Sequence, residues 1–90
     1  MRNLQTKAKF IERTWNVWET ELGGRPSWHL TITYFMPGSK RVDYVFVGDT
    51  KEKCLYDAAE ALDKAVADWA YSPDDNPFGR WLVMEKGWRL

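Results

Sequence analysis

The sequence predicts an α+β fold, a small two-layer domain with helix packed on one face of an antiparallel sheet. Residues 28–36, Trp-His-Leu-Thr-Ile-Thr-Tyr-Phe-Met, alternate as a strand does. Residues 55–69 carry a helical stripe: Leu55, Ala58, Ala59, Leu62, Ala65, Val66 and Trp69. Ninety residues make one domain, 1–90, with a small core.

The first segment has two readings. Leu4, Ala8, Ile11, Trp15, Trp18 and Leu22 are spaced as one stripe of an amphipathic helix, with Gly23-Gly24 as its stop. Residues 11–17 alternate instead, and Thr14, Trp15 and Val17 favour a strand. The expected order is therefore α-β-β-α-β, with β-β-β-α-β as the alternative.

Pro37-Gly38-Ser39 closes a hairpin between strands 28–36 and 40–47. A three-residue loop sets Val42, Tyr44 and Phe46 beside Tyr34, Ile32 and Leu30, making one face wholly apolar. A four-residue loop would bring Asp43 into the core, so the odd length is preferred. The other face then shows His29, Thr31, Thr33, Phe35, Arg41, Asp43, Val45 and Val47.

Asp49 and Glu52 have capping-box spacing, and the long helix, 50–71, packs on one face of the sheet. Glu60 and Lys64 are placed as an i,i+4 pair. Ser72-Pro73 ends the helix. Residues 72–79 are turn chemistry, residues 80–85 read as a C-terminal strand, and Gly87 breaks that strand.

Aromatic residues are in surplus: six Trp, four Tyr and four Phe. Trp15, Trp18, Trp28, Tyr34, Tyr44, Phe46, Trp69 and Trp81 lie on expected core stripes. Phe35, Tyr56, Tyr71, Phe78 and Trp88 are left over. Such residues either fold back over the edge of a small core or form a binding surface, where Trp, Tyr and Arg concentrate. The candidate partner-binding residues are Phe35, Arg41, Phe78, Arg80, Trp81, Trp88 and Arg89.

Thirteen basic side chains balance thirteen acidic ones, but unevenly. Residues 49–75 hold eight acids against three lysines, a local balance of −5. Residues 1–13 hold Arg2, Lys7, Lys9 and Arg13 against Glu12. An acidic flank of this kind suits a basic partner, although charged outer faces are also ordinary for surface helices.

No pattern for catalysis stands out. His29 is the one candidate base near neutral pH, and it falls on an open strand face. Asp74-Asp75 suits a turn better than a cation site, which wants six or more oxygens. Cys54, the one cysteine, reads as a small buried residue, so no intrachain disulfide and no Cys/His metal site are expected. The expected function is thus non-catalytic, without cofactor or metal. The lone cysteine fits a reducing cytoplasm, and no secretory leader or membrane span is expected.

In size, architecture and lack of catalytic motif, the chain resembles the small standalone proteins encoded by phages and mobile elements. Many of those, anti-CRISPR proteins among them, act as stoichiometric inhibitors. The resemblance implies a domain that occupies a surface of a host protein complex. The alternative is an RNA- or single-stranded-DNA-binding domain with an aromatic and Arg-bearing sheet face. A neutral net charge speaks against that alternative. An unpaired strand edge could also recruit a second copy into a homodimer.

Overall fold

The computed structural model describes residues 3–90. Arg2, counted above in the basic N-terminal segment, lies outside them. The order is α1 (Leu4–Thr14), β1 (Val17–Leu22), β2 (Arg25–Phe35), β3 (Arg41–Gly48), α2 (Lys51–Tyr71) and α3 (Pro77–Met84). The fold is α+β: a three-stranded antiparallel sheet, β1-β2-β3, under a layer of three helices.

The helix reading of the first segment holds only to Thr14, and the alternating residues 11–14 on which the strand reading rests are helix too; the strand runs instead over Val17–Leu22. Asn3 caps α1, its Oδ1 accepting from the Thr6 N–H at 2.8 Å, and Ala8 and Ile11 are buried. The helix ends at Thr14, and Trp15 is already extended. The β-favouring Val17 and Trp18 then begin a strand. Gly23-Gly24 is therefore a two-residue hairpin turn and not a helix stop. Both glycines have positive φ, 60° and 79°, as such turns require.

The β2–β3 register is the expected one: Leu30 faces Phe46, Ile32 faces Tyr44 and Tyr34 faces Val42. The loop is Pro37-Gly38-Ser39, with Met36 N–H donating to the Lys40 carbonyl at 2.8 Å.

α2 starts one residue later than Asp49 would set. Thr50 is its cap, Oγ1 accepting from the Lys53 N–H at 3.1 Å. On its outer face, Lys53–Asp57 and Lys64–Asp68 form the i,i+4 pairs, rather than Glu60–Lys64. The helix crosses the end of β3 closely: a side chain at Gly48 would lie 2.7 Å from the Cys54 nitrogen. Cys54 is fully buried, and its thiol donates to the Phe46 carbonyl at 3.4 Å.

The expected C-terminal strand is a helix. Pro77 opens α3, where its fixed φ suits the first turn and its missing N–H costs nothing. Phe78, Trp81 and Leu82 then share a helical face. Asn76 ties α3 to the end of α2, its Nδ2 donating to the carbonyls of Asp68 and Ser72. Gly79 lets the two helices meet, since a Cβ there would stand 2.2 Å from the Ala65 carbonyl oxygen.

The core lies between the layers. Ile11, Leu30, Ile32, Ala58, Leu62 and Leu82 are fully buried within it. Lys7 of α1 is buried too, pairing with Asp63 of α2 at 2.6 Å.

Candidate functional site

Side chains alternate along a strand, so the residues that do not face the helices form a second surface. Trp18 and Val47 flank His29, Val45 is opposite Thr31, Asp43 is opposite Thr33, and Arg41 is opposite Phe35. The helices pack on the Leu30–Ile32–Tyr34 side, so this face is uncovered. Phe35 is 61% exposed and Val45 60%, and Trp18, Leu22 and Val47 are exposed as well.

The face is ordered by contacts within it. The Trp18 and His29 rings stack at 5.8 Å, 17° apart. His29 Nε2 is 3.0 Å from the Ser27 Oγ. Among the described residues no carboxylate meets the imidazole, which leaves an Oγ–imidazole pair with no third group behind it. Asp43 Oδ1 accepts from Arg41 Nε at 3.1 Å and from Thr33 Oγ1 at 2.9 Å. The Arg41 hydrogen bond, then that from Thr33, holds the Asp43 carboxyl below the usual range. Among the described residues of the three strands, Asp43 is the one acid on this face. Arg41 and Arg25 stand near opposite ends of it, and Glu19 and Glu21 of β1 point the other way.

The seven expected partner-binding residues are divided between the layers. Phe35 and Arg41 lie together at one end of the open face. Phe35, Arg80 and Trp81 line a groove of about 250 Å³ that continues around that end towards Met84. Phe78 is largely spent on packing: its ring stacks on Tyr44 at 4.2 Å and meets Tyr34 at 5.5 Å. Trp81 also packs on Tyr34, at 5.1 Å, so it is half core and half groove wall.

Trp88 is not an anchor. It is 2% exposed, its Nε1 donates to Asp63 at 3.1 Å, and its ring sits edge-on to Phe10. The cause is the helical C-terminal segment. After α3, Gly87 adopts φ 77°, and Trp88 N–H donates back to the Leu82 carbonyl, which turns the indole onto α1 and α2. Arg89, next to it, is exposed.

The residues that sequence reasoning missed are Trp18 and Leu22, placed there on the core stripe of a long helix. Gly23-Gly24 between two alternating segments is the signal that could have found them. Val45 and Val47 lie on the face that the alternation predicts, outside the seven expected binders.

Asp74-Asp75 lies in the α2–α3 turn, where Ser72 Oγ donates to Asp75. Among the described residues no group of three or more His, Cys, Asp or Glu could hold a metal ion. No described helix is long and apolar enough to cross a membrane. No protein-family model matches the chain, and no curated protein or solved structure matches it.

Proposed function

We propose that the chain is a non-catalytic protein-interaction domain that docks through its open sheet face. The observation that carries this reading is the clustering of exposed apolar side chains. Trp18, Val45 and Val47 adjoin on the uncovered face, with Leu22 and Phe35 towards its two ends. Scattered surface apolar residues need no explanation, whereas clustered ones mark contact surfaces. The partner is a protein that brings an apolar patch with acidic groups at its margins, to meet Arg25 and Arg41. Occupying a surface in this way is how a small stoichiometric inhibitor works.

A second reading rests on the Trp18–His29 stack and on Phe35. Rings on an open sheet can serve as a platform for single-stranded bases. The small surplus of positive charge on the face supports this less than it supports protein docking.

One substitution separates the two. Val45→Lys removes an apolar contact and adds a positive charge on an exposed strand position. A protein partner isolated with the wild-type chain, in the presence of nuclease, is expected to bind this variant at least about tenfold more weakly. Binding of single-stranded oligonucleotides that instead strengthens with Val45→Lys, and falls steeply with salt, would move the assignment to nucleic acid. A partner held equally by both forms would place the docking surface elsewhere.

A further inference from the structure

A second concavity lies on the helical side, away from the open face. α2, β3 and the α2–α3 turn enclose a cleft of about 410 Å³, within the size range of small-ligand sites. Its floor is aromatic: Tyr44 and Phe78 lie 16° from parallel, with Tyr34 beside them. The α2 wall is Ala61 and Ala65, whose short side chains leave the space unfilled.

The mouth carries Asp68, Asp75, Asn76 and Lys64. Its donors are engaged in part. Lys64 Nζ pairs with Asp68 at 2.9 Å, and Asn76 Nδ2 binds two backbone carbonyls. Two N–H groups of the Lys64 ammonium remain, beside three acceptors: the second carboxylate oxygen of Asp68, that of Asp75, and Asn76 Oδ1. Two carboxylates against one ammonium give the mouth a negative balance. Residues 49–75 as a whole share that sign.

An apolar floor below an acceptor-rich, negative rim complements a positive charge on an apolar stem. We propose that this cleft binds an organic cation, an ammonium or guanidinium on an apolar stem. It would be presented either by a small amine or by a Lys or Arg side chain of a peptide. The site is independent of the sheet face and stands whether or not that face docks a protein.

The test is a titration of the ¹⁵N-labelled protein, followed by NMR, with three probes of one shape: phenethylammonium, 2-phenylethanol and 3-phenylpropionate. Phenethylammonium is expected to give saturable shifts at Ala61, Ala65 and Phe78, with the neutral alcohol about tenfold weaker and the anion absent. Replacing both Asp68 and Asp75 by Asn is expected to weaken the cation about tenfold. Ala61→Phe, which fills the cleft, is expected to abolish binding while thermal unfolding stays cooperative. An acetyl-Gly-Arg-Gly-amide arm identifies the source: binding at least as tight as the amine's assigns a side chain, weaker binding a free amine. Equal shifts from all three probes, no saturation by about 10 mM, or full binding by the double Asn variant would each overturn the proposal.

Discussion

β2 shows two environments on one strand. Leu30 and Ile32 are fully buried, and one residue beyond Tyr34 the ring of Phe35 stands mostly in solvent. On the helix-facing side, each large apolar side chain contributes about 1.5–3 kcal/mol by leaving water. On the other side, Phe35 and Val45 keep most of their surface in water in the free chain, and Trp18 and Val47 nearly half. Their hydrophobic free energy is left for a contact that the domain does not make with itself. The open face is thus distinguished by what its residues fail to bury. This difference supports reading it as a surface for a partner.

The largest expected effect tests whether the helical layer is closed as described. Trp88→Ala removes an indole held by Phe10 and Asp63, and should destabilise the fold by about 3–5 kcal/mol in urea unfolding. Partner affinity of the remaining folded protein should be unchanged. A stable Trp88→Ala protein that loses binding would restore Trp88 as an anchor and blur the contrast between the layers.

The next pair compares the two sheet faces directly. Ile32→Ala should cost about 2–5 kcal/mol, while Val45→Thr, on the neighbouring strand but facing solvent, should stay within about 0.5 kcal/mol. Similar losses for both would mean that something covers the open face in solution, a second copy first of all. Sedimentation would show that copy.

The smallest effect concerns the polar end of the open face. Asp43 has its folded pKa lowered by Arg41 and Thr33. Its stabilising contribution is therefore present above the unfolded Asp value of about 3.9 and is lost as pH falls through the folded value. Any excess in Tm of the wild type over Asp43→Asn at neutral pH should vanish in that acid range. An excess that persists there would assign the effect to something other than the Asp43 charge.

Much of the sheet is legible in the sequence because burial on one face leaves a period-two record. The β2–β3 register follows from keeping Asp43 out of the core, and the structure has it. The segment 15–22 is harder. Trp18 and Leu22 continue the helical spacing of Ala8 and Ile11 by coincidence of two periods, and only the Gly23-Gly24 turn separates the readings. Arg80 to Glu85 is misread for a different reason. Trp81 to Met84 is an unbroken apolar run, which periodicity alone cannot assign. The Asn76–Pro77 start and the close seat of Gly79 on Ala65 make it a helix. Of the candidate site, Phe35 and Arg41 are legible from alternation within one hairpin. The burial of Trp88 is not, because it depends on a contact with Asp63, 25 residues away, after a glycine turn.

Cys54 gives the seam between β3 and α2 its own chemical clock. The thiol is sealed beneath Phe46, and burial, with the nearby Asp57 charge, raises its pKa. Thiolate is the form that attacks alkylating and disulfide reagents, so the closed seam protects the sulfur twice, by access and by protonation. Its labelling rate then reports how much of the time the sulfur is uncovered. That opening can be followed in the unmodified chain, with no engineered probe.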